Sequence, residues 1–285
     1  MPSLLGRQVF LRLDLNVPLN GQEIVEDYKI RAVLPSVKAL LDRGAKVIIA
    51  SHLGEPMVKG KVVVGAKTAL TVKPIAAKLA QFLDQPVKFL PGQDIAVLRQ
   101  KINRAAEKII VLDNLRFWPG ELENNRDFAK ELASLADFYV NDAFAVSHRQ
   151  QASVAAIKDF LPSFAGILLK QEVANLSKAL KPKRPLIVVL GGAKVGSKVG
   201  LIRRLGRKAS KVLLGGGLAN NFLAAQGYQI GQSLVDKESI DLARRLIKEL
   251  GKKLVLPIDV IVAYSSNRPA LRLINQVGDQ ERILD

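Results

Sequence analysis

The chain has 285 residues, a formal net charge of +17 at neutral pH and a hydrophobic content of 48%. This length allows one large domain or two of ordinary size, and so much apolar sequence argues against intrinsic disorder. The absence of cysteine excludes disulfides and thiolate metal sites, which fits a reducing cytoplasm. No apolar run reaches the roughly 20 residues of a membrane span. The N-terminus lacks a basic-then-apolar signal region, because Arg12 and Asp14 interrupt it.

The excess of basic residues predicts attraction to polyanions such as nucleic acid, acidic membranes or phosphorylated metabolites. Aromatic residues make up only 5% of the chain, and no alternation of basic and aromatic residues indicates stacking of bases. Binding of nucleic acid is therefore an alternative that rests on net charge alone.

Strand and helix patterns alternate in the first half of the chain. A strand is predicted over residues 9–15, a helix over 30–41 and a buried strand over 47–50, which together make a βαβ unit. The other predicted elements are a loop at 57–67, a helix at 72–83, strands at 87–90, 109–112 and 138–140, and a helix ending at residue 136. Residues 163–180 are predicted as one long helix that connects two domains.

Polar and charged side chains stand where four of these strands end. They are Asp14 with Asn16, His52, Arg116, and Arg149 with its neighbour His148. Ligands of parallel sheets bind beyond the carboxyl ends of the strands, so convergence of these side chains predicts a cationic cleft for a small anion. There Asp14 would hold a ligand hydroxyl while arginines bind its phosphate. The alternative is that each histidine or arginine is simply solvated or structural.

A second phosphate site is predicted in the other half. Residues 186–191 form an apolar run into glycine, as in a parallel strand buried on both faces. Lys194 and Lys198 follow at the start of an amphipathic helix, and helix N-termini favour phosphate. Residues 173–235 hold no acid and eleven Lys or Arg, so positive potential collects there. Ordinary basic surface is the alternative, and Ser197 before Lys198 excludes the P-loop motif.

The last third continues the same alternation of strands and helices. A strand at 211–214 runs into Gly215, Gly216 and Gly217, and helices are predicted from residue 220 and over 239–250. Residues 254–264 are predicted as a strand pair or a strand and a loop. The alternation throughout predicts an α/β fold with mainly parallel sheets.

Several motifs resemble those of the phosphoglycerate kinase family. They are RLDLNVP (12–18), SHLG (51–54), NLRF (114–117), YVNDAF (139–144), SHR (147–149), LGGAKV (190–195), GGGLAN (215–220) and LPIDV (256–260). They occur in the family's order and with similar spacing across nearly the whole chain.

This resemblance implies a glycolytic, hinge-bending enzyme with two Rossmann-like parallel-sheet domains. The triose domain would span residues 1–162, the inter-domain helix 163–182 and a partial nucleotide domain 183–285. The implied reaction is reversible phosphoryl transfer between 1,3-bisphosphoglycerate and ADP, giving 3-phosphoglycerate and ATP. Magnesium would accompany the nucleotide, with no metal ligand within the chain. A cytoplasmic monomer without membrane contact is expected.

The resemblance also implies roles for individual residues. Those that bind the triose would be Asp14, Leu15, Asn16, Lys29, His52, Leu53, Gly54, Glu55, Arg116 and Arg149. Those that bind the nucleotide would be Gly192, Lys198, Gly215 and Gly216. The catalytic residues would be Lys29, Lys194 and Lys198, with Lys198 at nucleotide phosphate and Lys194 at the group in transfer.

Four departures from the family pattern bear on activity. Lys29 stands where the family has a catalytic arginine, and lysine lacks the planar fork of arginine. Glu55 replaces an arginine that faces the substrate phosphate, and Ser197 replaces an acid. The family continues beyond Asp285, so an incomplete second domain and low or absent turnover are expected. The alternatives are a non-catalytic binder of triose, nucleotide or polyanion, and a remnant with no folded role.

Overall fold

The structure is a computed structural model that describes residues 3–58, 60–180, 184–192, 195–264 and 269–284. The chain divides into two compact units, Met1–Asn175 and Leu176–Asp285. Among the described residues no helix is both long enough and apolar enough to cross a membrane.

The first unit alternates strands and helices. Its strands are β1 (Gln8–Arg12), β2 (Leu19–Asn20), β3 (Glu23–Ile24), β4 (Lys46–Ala50), β5 (Met57–Val58), β6 (Lys61–Val62), β7 (Val87–Leu90), β8 (Ile109–Leu112), β9 (Phe138–Asn141) and β10 (Ser163–Ala165). Its helices are α1 (Tyr28–Leu41), α2 (Ala66–Ala69), α3 (Lys73–Leu83), α4 (Ile95–Arg104), α5 (Pro119–Leu122) and α6 (Arg126–Ala133), and α7 (Ile167–Leu180) begins in this unit. The predicted loop at 57–67 contains the β5–β6 hairpin.

Six of these strands form one parallel sheet in the order β10-β9-β1-β4-β8-β7. One face is covered by apolar residues of α1 and α3 and the other by those of α4 and α6. The chain leaves β1 towards β4 on one side, and it leaves β9 towards β10 on the other. The connections therefore diverge between β1 and β9, which makes the carboxyl ends of these two strands the expected ligand position.

The first strand is shorter than predicted and has both faces buried. It ends at Arg12, and Leu13, Asp14 and Leu15 form the turn that follows. Arg12 is fully buried on the same sheet face as Phe10. An arginine can be buried in this way where other residues compensate its charge.

The prediction of a single helix over 163–180 is wrong at its start. Ser163–Ala165 is β10, which pairs in parallel with β9 at the edge of the sheet. The helix α7 begins only after Gly166, whose N–H group donates to the carbonyl of Asn141. Three residues of edge strand are too short to show a period of two in the sequence.

The second unit contains α8 (Val199–Lys208), α9 (Gly216–Ala225) and α10 (Ile240–Leu250). Its parallel sheet has the order β11 (Ile187–Leu190), β12 (Lys211–Leu214), β13 (Leu254–Val255). A separate antiparallel sheet has the order β15 (Ala270–Leu273), β14 (Asp259–Ala263), β16 (Arg282–Ile283). The second unit therefore combines a parallel sheet with an antiparallel one, within the α/β fold of mainly parallel sheets that the sequence predicts.

The strand β11 does not have both faces buried, contrary to the prediction for residues 186–191. Val188 packs into the core, while Ile187 and Val189 are 59% and 71% exposed. This strand is at the edge of its sheet and only its inner face is covered. An apolar run looks the same in sequence whether one face or both are covered.

Gly166 allows the close approach of β9 and α7. Asp142, directly after β9, accepts a hydrogen bond from the N–H group of Leu169 at 2.8 Å, in the first turn of α7. A Cβ at Gly166 would lie 2.2 Å from the Asp142 Oδ1 atom. The end of β9 and the start of α7 are therefore held together only if residue 166 has no side chain.

Gly166→Ala is expected to lower the free energy of unfolding by about 1–3 kcal/mol, because the added methyl overlaps a carboxylate with no room to move. Gly200→Ala in α8 is the control, since a Cβ there meets nothing within 4 Å. Urea denaturation followed by circular dichroism measures both variants. Equal stability of the two would contradict this account of Gly166.

Candidate active site

The loops after β1, β4 and β8 are tied to one another by side-chain hydrogen bonds. Ser51 Oγ accepts from the Leu15 N–H at 2.9 Å, and Asn16 Oδ1 accepts from the Gly54 N–H at 2.9 Å. Asn114 bonds both backbone groups of Leu53, accepting at 3.2 Å and donating at 2.7 Å. The side chains that these loops carry are thereby held at one edge of the sheet.

Leu15 and Leu53 are buried in the hydrophobic core of the unit. Their side chains therefore face the core, and their backbone groups fix the loops that carry Asp14, Asn16 and His52. Gly54 has φ of +55°, a conformation that favours glycine. A Cβ at Gly54 would also lie 2.9 Å from the side chain of Leu70.

A buried ion pair lies next to these loops at the end of β1. The Arg12 guanidinium lies 3.9 Å from Glu121 Oε1, and neither side chain is exposed. Ser153 accepts from Arg12 Nε at 2.8 Å and donates to Glu121 at 2.6 Å. Because a buried charge is tolerated only when it is paired and hydrogen-bonded, these three residues form a single interdependent unit.

The same guanidinium contacts His52. Arg12 Nη2 lies 3.4 Å from His52 Nδ1. An arginine can only donate, so this contact requires Nδ1 to be the acceptor and places the ring proton on Nε2. Burial and the cations of Arg12 and Arg116 together lower the pKa of His52 to about 3. His52 is therefore a neutral hydrogen-bond donor at neutral pH.

Asp14 pairs with Lys29 in the first turn of α1. Lys29 Nζ donates to Asp14 Oδ2 at 2.9 Å, and the Asn16 N–H donates to Oδ1 at 3.2 Å. Burial opposes ionisation of Asp14, but these two hydrogen bonds and the charge of Lys29 leave its pKa below the usual value. Asp14 is therefore an anion that can accept a hydrogen bond from a hydroxyl group.

Arg116, Arg149 and Glu55 form a charged cluster beside His52. The buried Arg116 donates from Nη1 to the carbonyl of Gly54 at 2.7 Å and to Glu55 Oε1 at 2.5 Å. The same carboxylate oxygen lies 3.9 Å from Arg149 Nη1. Arg116 Nε and Nη2 are buried and have no hydrogen-bond partner among the described residues. Among the described residues, the contacts of this buried guanidinium are therefore made through Nη1.

A cavity of about 190 Å³ lies at the divergence between β1 and β9. Asp14, Lys29, Asp142, Phe144 and Glu172 are among its lining residues. Burial raises the pKa of Asp142, and its Oδ2 atom has no partner in the described part of the chain. The cavity therefore has polar groups on a largely apolar wall, which is typical of small-molecule sites.

Two glycine turns meet in the second unit, after β11 and β12. A Cβ at Gly216 would lie 3.6 Å from the Gly192 nitrogen, and one at Gly192 would lie 2.8 Å from Lys198 Cε. Gly192 and Gly216 both have positive φ. Gly215 precedes α9, so free N–H groups of that helix stand beside Lys198. Helix N-termini and a nearby ammonium group together favour a phosphate.

The structure brings most of the sequence-predicted residues into two groups. In the first unit the charges of Asp14, Arg116 and Arg149 all act on His52. Gly192, Lys198, Gly215 and Gly216 form the group in the second unit. Lys194 lies outside the described residues.

Four residues of the first site were not predicted from the sequence as site residues. They are Arg12, Glu121, Asp142 and Ser153, all of them fully buried. The one available signal was a charged residue within an apolar strand, at Arg12 in VFLRLDL. Glu121 lies in the short helix α5 and Ser153 in a turn, where an acid or serine is ordinarily solvated.

Comparison with known proteins gives one consistent family. The family model described as phosphoglycerate kinase matches residues 2–285. A phosphoglycerate kinase from Synechococcus sp. (strain JA-2-3B'a(2-13)) is 46% identical over 278 residues, covering 94% of this chain and 68% of the relative. One from Dictyoglomus turgidum is 42% identical over 287 residues, covering 98% of this chain and 70% of the relative.

Solved structures agree with these relatives. The phosphoglycerate kinase of Coxiella burnetii superposes with a TM-score of 0.81 at 36% identity, covering all of this chain and 72% of that one. That of Pyrococcus horikoshii OT3 gives 0.84 at 29% identity, covering 99% of this chain and 73% of that one.

The depressed pKa of His52 predicts a stability that falls with acid. His52 stays neutral in the folded chain down to a pH of about 3, whereas an unfolded histidine binds a proton near pH 6.5. Its contribution is complete above pH 6.5 and is lost as the pH falls towards 3, at about 1.4 kcal/mol per pH unit. Chemical denaturation at pH 7, 6, 5 and 4 should show a shallower loss for His52→Gln than for the unaltered chain.

The NMR signals of the His52 ring protons provide the direct measurement, with His148→Gln assigning the two histidines of the chain. The His52 signals should not move between pH 8 and pH 5. A midpoint near pH 6.5 would show that Arg12 does not hold the ring in its neutral form.

Proposed function

The chain belongs to the phosphoglycerate kinase family, and from that we propose that its first unit binds the triose and its second unit the nucleotide. The family's reaction is a phosphoryl transfer of glycolysis, and the chain is a kinase of that kind. In the reaction, 1,3-bisphosphoglycerate gives its acyl phosphate to ADP, leaving 3-phosphoglycerate and ATP. Such a transfer asks the protein mainly to position the reactants and to neutralise the phosphoryl oxygens.

The observation that carries the triose assignment is that Arg116 and Arg149 meet at one anion position, where Glu55 Oε1 lies 2.5 Å from Arg116 Nη1 and 3.9 Å from Arg149 Nη1. A phosphate has enough oxygens to accept from both guanidinium groups. Asp14 accepts from a hydroxyl of the triose, and the neutral His52 donates from Nε2. Lys29 supplies the positive charge nearest to Asp14.

We assign ATP and ADP to the glycine turns of the second unit. Gly192, Gly215 and Gly216 leave room for a flat base against the backbone, because none of them carries a Cβ. Lys198 and the N-terminus of α9 bind the phosphates. Among the described residues no cluster of three acidic or histidine side chains could hold a metal ion. Magnesium is proposed to accompany the nucleotide, with phosphate oxygens among its ligands.

Turnover is proposed to be low because of two side chains. Lys29 carries a positive charge but lacks the planar fork that binds two phosphoryl oxygens at once. Glu55 places a negative charge within 4 Å of both Arg116 and Arg149.

Since the absence of cysteine suits a reducing compartment, we place this activity in the cytoplasm.

A second candidate function is the binding of a polyanion such as nucleic acid. It is favoured by a basic cluster at the end of α8, formed by Arg207, Lys208, Lys211, Lys252 and Lys253. Lys253 Nζ bonds the carbonyl of Gly206 at 3.3 Å, and Lys211 Nζ bonds that of Lys252 at 2.9 Å. The lysines are thus held side by side, as a phosphate backbone would require.

Isothermal titration of the purified chain separates the two candidates. Binding of 3-phosphoglycerate in the micromolar range is expected, because two arginines and a lysine converge on one small anion. Random duplex DNA, titrated at 50 and 200 mM salt, is the competing ligand. Steeply salt-dependent DNA binding without triose affinity would favour the second candidate and contradict the first.

Lys29→Arg is expected to raise turnover roughly threefold to thirtyfold in a coupled assay, because the planar fork binds two phosphoryl oxygens. Lys38→Arg makes the same exchange on the exposed side of α1 and should change nothing. Ordinary turnover of the unaltered chain, or no gain from Lys29→Arg, would contradict the proposal that Lys29 limits the reaction.

A further inference from the structure

Glu55 partly neutralises the two arginines at the proposed phosphate position. Its Oε1 atom is 2.5 Å from Arg116 Nη1 and 3.9 Å from Arg149 Nη1. The carboxylate therefore stands between the two guanidinium groups, where the oxygens of a bound phosphate would also have to lie. It is an anion supplied by the chain itself.

The three side chains differ greatly in burial. The side chain of Arg116 is 2% exposed, that of Arg149 is 42% exposed and that of Glu55 is 68% exposed. Arg116 is thus a fixed, desolvated cation and Glu55 is its solvent-facing partner. A buried guanidinium strongly favours an anion beside it, whichever molecule provides that anion.

The backbone around Glu55 is held while its side chain is not. The Gly54 N–H donates to Asn16 Oδ1 at 2.9 Å, and the Gly54 carbonyl accepts from Arg116 at 2.7 Å. Pro56 on the other side is buried. Rotation about the side-chain bonds of Glu55 is therefore enough to withdraw the carboxylate, with no movement of the loop.

We propose that Glu55 is an internal competitor for the phosphate of the ligand. This inference rests on the proposed triose function of Arg116 and Arg149. In the ligand-free chain Glu55 fills the anion position, and a ligand binds only by displacing it. A phosphate can do so because it brings up to two negative charges to Arg116 and Arg149, whereas Glu55 brings one. A singly charged carboxylate ligand gains no such advantage.

Competition by Glu55 changes both the affinity of this position for its ligand and its selectivity among anions. The free energy of ligand binding becomes less favourable, because part of it is offset by the ion-pair energy that is lost when the Glu55 carboxylate leaves the two arginines. Glu55 lowers the net charge of Arg116 and Arg149 together from +2 to +1 in the ligand-free chain, so weakly charged anions are attracted less strongly. Glu55 thus acts as a specificity-determining residue that lowers affinity for the triose and raises the charge that a ligand must carry.

The test is the variant Glu55→Gln, which keeps the shape of the side chain and removes its charge. Titration with 3-phosphoglycerate should show a dissociation constant lower by about threefold to thirtyfold, the range expected for losing one competing ion pair. Titration with ADP should be unchanged, because the nucleotide is assigned to the other unit. Glu107→Gln is the matched control, since Glu107 forms an exposed ion pair with Lys88 at 3.5 Å.

The outcomes separate this inference from the function on which it rests. If neither the unaltered chain nor Glu55→Gln binds 3-phosphoglycerate at millimolar concentration, the proposed function fails. If the unaltered chain binds it and Glu55→Gln binds it equally or more weakly, only the competitor is disproved. An equal gain for Glu107→Gln would assign the effect to overall charge and would also overturn the inference.

A second variant serves if loss of the counter-charge unfolds the chain. Glu55→Asp retains the charge but shortens the side chain, so it should pair less well with Arg149. Its dissociation constant should fall by a smaller factor than that of Glu55→Gln, while thermal unfolding confirms that it is folded. An increase in the dissociation constant for Glu55→Asp would contradict competition.

Discussion

The first unit depends on burying the Arg12 guanidinium without leaving its charge uncompensated. Glu121 and Ser153 satisfy one side of it, and His52 faces another. One residue thus ties the end of β1 to three separate parts of the chain. A buried pair of this kind contributes little net stability, because desolvation offsets attraction. The pair instead fixes the positions of these side chains, because any displacement of one partner leaves another charge or donor unsatisfied.

The chemistry of the first site follows from that arrangement. Arg12 forces the proton of His52 onto Nε2 and, with burial, keeps the ring neutral. Asp14 is kept anionic by Lys29 despite its burial. A neutral donor and a charged acceptor therefore stand side by side. Their protonation states at neutral pH are set by burial and by neighbouring charges. A neutral donor beside a charged acceptor suits recognition of a ligand with both hydroxyl and anionic groups.

The two proposed phosphate sites differ in the groups that would attract phosphate. The first uses guanidinium groups, one of them buried, so that attraction is strong and its geometry is fixed. The second uses backbone N–H groups at a helix N-terminus, together with Lys198 and glycines that allow close approach. Arginine forks suit one terminal phosphate of a small molecule, while a glycine turn suits the extended phosphate chain and flat base of a nucleotide.

Much of this was readable from the sequence. The alternation of apolar runs and amphipathic segments predicts an α/β fold, and the positions of Asp14, His52 and Arg116 just after strands predict one shared edge. Gly192 and Gly216 likewise mark turns after strands, because the backbone at both has a positive φ that favours glycine. These are local signals, carried by neighbouring residues and by strand and helix periodicity.

Tertiary structure alone decided the rest. Three features depend on which elements pack together. Ile187 and Val189 are exposed, Ser163–Ala165 is an edge strand, and the last sheet is antiparallel. The pairing of Arg12 with Glu121 joins residues far apart in sequence, and so does that of Glu55 with Arg116. The sequence by itself determined which residue types stand at the strand ends. Only the fold decided which of them are buried, because burial and charge pairing depend on contacts between distant parts of the chain.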